Sequence, residues 1–245
     1  MIGLVLAAGA GRRLRPWTDT LPKALVPVRD ERSVLDFTLE NFAKAGLTDA
    51  VVVIGYAAEA VRERRAALER AYGVKLHLVD NDKAEVWNNA YSLWCARDYL
   101  DEGVLLANGD TLHPLSVQEA MLDGGTGDLD VLLALDDVKP LAEEEMKVRL
   151  GADGLLARIT KLMEPAEAVG EYIGVTLVAP GAGPGLVAAL AATWEADPHQ
   201  YYEDAFQLYA ERGGRVGVRS IGGAEWTEID TTEDLLKARD IACRY

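Results

Sequence analysis

Cysteine is nearly missing from this chain: Cys95 and Cys243 are the two present in 245 residues, far apart and without metal-ligand spacing, which excludes a cysteine-built metal site. Cys95 lies in an apolar helical stretch where a buried free thiol is the expected state, and this usage fits a reducing, cytoplasmic compartment. No apolar run approaches the roughly 18 residues of a membrane span. The apolar start from Met1 to Gly11 precedes its basic residues, the wrong order for a signal peptide, so neither export nor a membrane partner is expected. Positive charge is in deficit, with 25 Lys and Arg against 40 Asp and Glu and a formal charge of -15. Such a surface repels phosphate backbones, which argues against nucleic acid as a partner and requires any anionic ligand to find a local pocket with its own cations or metal. No Ser/His/Asp or Cys/His constellation is visible. Long linkers are lacking too, because Gly124–Gly127 and Pro180–Gly185 are loop punctuation too short to divide domains.

What is present is a globular composition, 49% hydrophobic and 27% charged, far from the signature of disorder. Apolar β-rich runs alternate with helical patterns: Ile2 to Leu6, a helix from Ser33 to Ala45, a run from Ala50 to Ile54, a helix from Glu59 to Ala71, a run from Val74 to Val79, a helix from Asn89 to Tyr99 and a run from Val104 to Leu106. This alternation predicts an α/β fold with a mixed, mainly parallel sheet flanked by helices, in one domain spanning residues 1–245. The unbroken apolar character of Ile2–Leu6 and Val51–Ile54 marks central strands covered on both faces. After Leu129 the runs shorten (Val131 to Leu135, Lys147 to Leu150, Leu155 to Thr160, Tyr172 to Val178), and helices follow around Leu186 to Glu195 and Tyr202 to Glu211, a pattern expected of a sheet extension closing over a site. Ser33 with Asp36 and Thr231 with Asp234 read as capping boxes.

The segment from Leu6 to Val28 is the most informative. Gly9 and Gly11 leave the first strand in a small-residue loop, and Arg12, Arg13 and Lys23 follow. Glycine lets backbone N–H groups approach phosphate oxygens while the cations supply countercharge, so this is an anion cradle. Two common phosphate loops fail here: Leu14 stands where a dinucleotide fingerprint needs its third glycine, and no Gly-Lys-Ser/Thr ending is present. Asn108-Gly109-Asp110 follows the run from Val104, placing Asp110 at the carboxyl end of a strand, where open α/β sheets bind ligands. A carboxylate there suits magnesium. Alternation through Trp226-Thr227-Glu228-Ile229-Asp230 puts Glu228 and Asp230 on one side of an extended segment; Asp230 read alone is equally a helix cap.

From Gly9 to Val28 the chain matches, position by position, the signature Gly-x-Gly-x-Arg-Leu-x-Pro-x-Thr-x-x-x-Pro-Lys-x-Leu-x-Pro-Val, and so resembles the nucleotidyltransferases that activate sugar phosphates and related small phosphates. The resemblance implies a nucleotide-diphospho-sugar transferase-like, Rossmann-like fold, with residues 1–128 as the nucleotide-binding half and 129–245 as the acceptor-binding half. It implies that Arg13 and the glycine loop wrap a triphosphate, that Lys23 meets phosphate at the reacting centre, that Lys161 grips an acceptor phosphate, and that Asp110 and Asp230, with Glu228 beside them, hold Mg2+. Leu6, Ala8, Gly9, Gly11, Arg12, Asn81, Asn88, Asn89, Asn108 and Gly109 complete the expected nucleotide contacts, one of the two adjacent asparagines capping a helix and the other reading the pyrimidine. Lys147, Glu171, Tyr172, Glu203 and Trp226 join Lys161 on the acceptor side. Trp87 and Tyr91 are further candidates for an acceptor wall, with Tyr91 and Trp94 at the helical spacing of core residues. His113 is tempting as a base but is discounted.

Within that family, Trp87-Asn88-Asn89-Ala90-Tyr91-Ser92-Leu93, Glu145-Met146-Lys147-Val148, Glu171-Tyr172-Ile173-Gly174 and Tyr201-Tyr202-Glu203-Asp204 are similar to the cytidylyltransferase branch, which includes phosphonate, phosphocholine and inositol-phosphate enzymes and the cytidylyltransferase domain of the bifunctional fosfomycin-pathway enzyme. The expectation is transfer of CMP from CTP to a small phosphate or phosphonate, with 2-hydroxyethylphosphonate or 2-aminoethylphosphonate ahead of phosphocholine and inositol phosphate. A homodimer and a fused partner domain are both compatible with it. The rivals are a sugar-1-phosphate uridylyl- or thymidylyltransferase and a non-catalytic nucleotide-binding regulatory module.

Overall fold

A computed structural model describes all of residues 1–245. Its strands are β1 (Ile2–Leu6), β2 (Pro27–Arg29), β3 (Arg32–Ser33), β4 (Asp49–Ile54), β5 (Lys75–Asp80), β6 (Val104–Asn108), β7 (Thr111–Leu112), β8 (Val131–Asp136), β9 (Lys147–Leu150), β10 (Leu156–Thr160), β11 (Gly170–Val178), β12 (Val216–Ser220) and β13 (Thr227–Glu228). Its helices are α1 (Val34–Lys44), α2 (Ala58–Tyr72), α3 (Asn89–Cys95), α4 (Arg97–Leu100), α5 (Leu115–Leu122), α6 (Gly183–Ala196), α7 (Tyr202–Glu211) and α8 (Thr232–Ala242).

One mixed sheet forms the frame, in the order β10-β9-β11-β6-β1-β4-β5, with β8 joined to β11 and β12. Strands β1, β4, β5 and β6 run parallel, while β11 turns antiparallel against β6 and β8. The apolar runs are buried on both faces, as expected of central strands. Ile2 and Leu4 join one core with Val51, Val53 and Leu106; Val5 joins the other with Val52, Ile54 and Leu105. Since β1 has β4 on one side and β6 on the other, the chain leaves β1 in opposite directions across the sheet, and a crevice opens at its carboxyl end.

The helix expected from Asn89 to Tyr99 is interrupted at Ala96, whose backbone (φ -87, ψ 12) closes α3 before α4 begins. The corner lets Leu93, Ala96 and Leu100 all enter the same core. Helix α5, strand β12 and the short pairs β2–β3 and β7–β13 were not expected from the sequence. The β7–β13 pair matters most. It sets Thr227 opposite Leu112 and Glu228 opposite Thr111, and Ile229 N–H donates to the Asp110 carbonyl at 2.9 Å. A third apolar cluster backs this junction, packing Leu235, Ala238 and Ile241 of α8 against Leu14, Val26 and Val28. No helix is long and apolar enough to cross a membrane.

Candidate active site

The loop after β1 is shaped by backbone constraints. Gly11 adopts a left-handed conformation (φ +55), and a Cβ there would stand 3.0 Å from Cβ of Lys23, so both conformation and space require glycine. Thr18 Oγ1 donates to the Gly11 carbonyl at 2.8 Å, and Lys23 N–H reaches the Gly9 carbonyl at 3.3 Å. These bonds lay the lysine segment against the glycine loop and point the Lys23 side chain under the crevice.

There Lys23 Nζ donates to Asp110 Oδ2 at 2.9 Å and also bonds Asp230 Oδ1. Arg13 Nη2 pairs with Asp230 Oδ2 at 2.7 Å. Burial alone would push the Lys23 ammonium down, but Asp110, Asp230 and Glu228 outweigh it and hold it above its ordinary value. Loss of water raises the Glu228 carboxyl to about 7, and the negative charges of Asp110 and Asp230 add to the effect. Asp230 moves the other way: burial opposes its ionisation, and Lys23 and Arg13 override it to hold the carboxyl below its ordinary value. The cap of α8 is Thr231, whose side chain accepts from Asp234 N–H while Asp234 accepts from Thr231 N–H. Asp230 therefore keeps its carboxylate free of capping.

Asp110, Glu228 and Asp230 bring carboxylate oxygens within 4.8 Å of one another, and Asp110 Oδ1 is buried without a hydrogen-bond partner. Three hard oxygen donors, one with an unspent acceptor, fit a divalent cation such as magnesium.

Above this cluster lies a cavity of about 880 Å³, with Gly9, Arg13, Asn88, Asn89, Asn108, Asp110, Glu228 and Asp230 in its wall. A side lobe of about 180 Å³ runs under Leu6, Ala8, Ala84, Trp87 and Ser92 and shares Gly9 and the asparagines. The two asparagines divide their work. Asn88 caps α3, its carbonyl accepting from Asn89 N–H and its amide donating to the His199 carbonyl at 2.8 Å. Asn89 accepts from Tyr202 N–H at 2.9 Å, which leaves its amide N–H groups available to a ligand. Asn108 accepts from the Tyr202 hydroxyl and fits only because Gly174 (φ +80) has no Cβ, which would come within 2.5 Å of the Asn108 amide nitrogen. Gly11, Arg12, Lys23, Asn81 and Gly109 line neither space. Gly11 shapes the loop; Arg12 is exposed and donates to the Glu85 carbonyl; Gly109 stitches the end of β6 to Leu6. Asn81 is buried with its amide spent on Ser92 Oγ and Lys83 N–H, which corrects its expected contact with a nucleotide.

Lys161, Glu171, Tyr172, Glu203 and Trp226 line the opposite wall. Lys147 does not join them. It is fully buried, and its ammonium donates to the carbonyls of Ala142, Glu143 and Glu145, so the role expected for it in acceptor binding is corrected to a staple of the 142–145 loop. The hydroxyl of Tyr172 is spent on Thr176 and Tyr202. Trp87 sits at the side lobe and stacks on Trp194, and Tyr91 and Trp94 complete that aromatic group. His113 lies outside both spaces, 2% exposed. Sequence reasoning missed Lys139, whose ammonium contacts Glu145 at 2.9 Å and Glu171 at 2.5 Å and covers the Trp226 ring at 4.6 Å. A lone lysine in a loop after β8 carries no motif; the only available signal was its neighbourhood to glutamates that the fold brings in from elsewhere.

Comparisons with known proteins bear on the family and the fold. The nucleotidyl transferase family model matches residues 2–124. CMP-5'-(3-aminopropyl)phosphonate synthase of Streptomyces rubellomurinus is 38% identical over 153 residues, 62% of this chain and 23% of that protein. Choline-phosphate cytidylyltransferase of Streptococcus pneumoniae is 38% identical over 100 residues, 41% of each. The chain thus matches less than half the length of these two curated relatives. The solved inositol-1-phosphate CTP transferase of T. maritima has the same fold, with a TM-score of 0.82 over 99% of this chain and 94% of that one at 24% identity.

Proposed function

This chain belongs to the nucleotidyl transferase family, and we propose that within it the protein is a magnesium-dependent cytidylyltransferase that moves CMP from CTP to a small phosphonate and releases pyrophosphate. The observation that carries the reading is the junction of Arg13, Asp110 and Asp230 in the wall of one cavity, with Lys23 paired to both carboxylates from beneath. It gathers the cations that a triphosphate needs and the carboxylates that a metal needs at one point. Cytosine is favoured because two relatives carry CMP or cytidylyl transfer in their names; Asn89, with amide hydrogens free beside the side lobe, supports a pyrimidine, whose carbonyl can accept them.

The acceptor oxyanion attacks the α-phosphorus in line. A bond forms from its oxygen to phosphorus, the bond to the α,β-bridging oxygen breaks, and pyrophosphate leaves with that electron pair. A phosphate monoester has its second pKa near about 6, and an oxyanion of this kind needs no general base. Alignment and charge neutralisation are then the protein's task. Arg13 and Lys23 bind and orient the triphosphate, and Lys161 holds the acceptor oxyanion opposite them. Asp110, Asp230 and Glu228 would hold the magnesium ion, which when bound offsets charge on the phosphates.

The test is pyrophosphate release, with magnesium, from CTP, UTP, dTTP and GTP crossed with 2-hydroxyethylphosphonate, 2-aminoethylphosphonate, phosphocholine, inositol phosphate and glucose 1-phosphate. CTP with a phosphonate is expected to give the highest specificity constant. A higher value for phosphocholine or inositol phosphate than for every phosphonate overturns the acceptor; UTP or dTTP with glucose 1-phosphate leading the panel overturns the base as well. No release from any pair identifies a non-catalytic module.

A further inference from the structure

The acceptor wall is more acidic than an anionic acceptor warrants. Apart from the three carboxylates of the metal cluster, the exposed Glu144, and Asp234, which is spent on the cap of α8, Glu145, Glu171 and Glu203 face a cavity that must admit a phosphonate. Two of them are already neutralised: Lys139 lies between Glu145 and Glu171 at 2.9 and 2.5 Å. Glu203 is not. It is 6% exposed, lines the cavity, and leaves Oε2 buried without a hydrogen-bond partner. Lys161, the cation that acts on its charge, directs its ammonium over the Tyr201 ring at 5.7 Å. Burial pushes the Glu203 carboxyl up to about 8, with Asp204 and Glu228 adding to the effect and Lys161 only partly opposing it. An unpaired buried carboxyl costs stability unless a ligand completes it.

Resting on the phosphonate reading above, we infer that Glu203 receives the ammonium group of the acceptor, which is therefore a primary aminoalkylphosphonate and not a hydroxyalkyl one. The oxyanion end pairs with Lys161 and the metal side of the cavity, and the ammonium end donates charge-assisted hydrogen bonds to the carboxylate. A quaternary ammonium head fits this wall poorly. It has no N–H to give Glu203, and it binds instead to open aromatic faces; the face of Trp226 is covered by Lys139 and that of Tyr201 by Lys161.

The experiment measures kcat/KM for CTP-dependent pyrophosphate release with 2-aminoethylphosphonate, 3-aminopropylphosphonate, 2-hydroxyethylphosphonate and phosphocholine, in the wild type and in Glu203→Gln. The wild type is expected to favour an amine over the hydroxyl acceptor by about tenfold or more, the size of one charge-assisted bond. In Glu203→Gln the KM for the amine should rise about tenfold, with a much smaller change for the hydroxyl acceptor, so that the preference collapses. Equal specificity constants for amine and hydroxyl acceptors in the wild type overturn the inference while leaving a phosphonate cytidylyltransferase standing, and this arm needs no variant to fold. Equal losses on both acceptors in Glu203→Gln overturn it too, by making Glu203 a packing residue. Turnover of phosphocholine with none of the three phosphonates overturns the phosphonate reading itself.

Discussion

The two walls of the cavity differ in how they are built. On the nucleotide side, charges are paired and the geometry is set by backbone: the Gly9–Gly11 loop is tied to Lys23, and Lys23 joins Asp110 and Asp230 across 87 and 207 residues of sequence. On the other side, single side chains from the turn after β10, β11, α7 and the loop after β8 converge, and one buried carboxyl has no ion-pair partner. The contrast assigns them different duties. On the function proposed above, a wall of mutually locked charges would handle the triphosphate, whereas a wall of separable side chains could change acceptor without disturbing the chemistry.

The strongest way to break this contrast is to remove a locked charge. Lys23→Ala and Asp110→Ala should each lower kcat at saturating CTP and acceptor by about a hundredfold or more, as loss of a charge partner at a reacting centre does. Circular dichroism should report an intact fold. Either variant retaining near-normal turnover would remove its residue from the reacting centre and leave the nucleotide wall no more locked than the other.

The same contrast explains what was legible in the sequence. The central strands and most helices were readable because both faces of β1 and β4 are apolar and Ser33 and Thr231 carry capping boxes. The loop proposed to cradle the triphosphate was readable because its residues are contiguous from Gly9 to Lys23. Glu228 and Asp230 were readable as a pair from alternation alone, but their approach to Asp110 depends on the two-residue strands β7 and β13, too short to leave a hydrophobic pattern. Lys147 was misplaced because a lysine that staples carbonyls and one that binds phosphate look alike until burial is known. Lys139 was invisible for the converse reason: its partners arrive by folding.

A milder perturbation sharpens the separation of the walls. Lys161 lines the acceptor wall in no ion pair, so Lys161→Met removes a cation while keeping much of the side chain's length. The acceptor's KM should rise about tenfold, the size of a lost charge-assisted contact, while the KM of CTP stays within about twofold. Initial-rate kinetics with each substrate varied in turn make the measurement. Parallel increases in both constants would mean that the walls are coupled and that Lys161 serves the triphosphate as well.

The smallest effect on the reaction is expected at His113, which separates support from chemistry within the first half of the chain. Its ring is buried beside the Pro114 carbonyl, with Nε2 lacking a partner, and burial lowers it from an ordinary 6.5 to about 4. The unfolded chain therefore binds a proton near pH 6.5 that the folded chain refuses until about 4. Stability from this group is fully present above 6.5 and is lost as pH falls toward 4, about 3 kcal/mol in all and about 2 kcal/mol by pH 5. Glu171, Glu203 and Glu228 titrate with the opposite sign: each is raised in the fold, to about 7, 8 and 7, so the folded chain takes up their protons first and gains stability as pH falls toward 4.5. A single melting profile mixes the two trends, so the informative quantity is the difference between His113→Gln and the wild type. Urea unfolding at pH 7.5 and pH 5 should show the variant improving relative to the wild type by about 2 kcal/mol at the lower pH, with turnover at pH 7.5 changed less than about twofold. A pH-independent difference would mean that the imidazole is not buried neutral, and a hundredfold loss of turnover would move His113 from support into the chemistry.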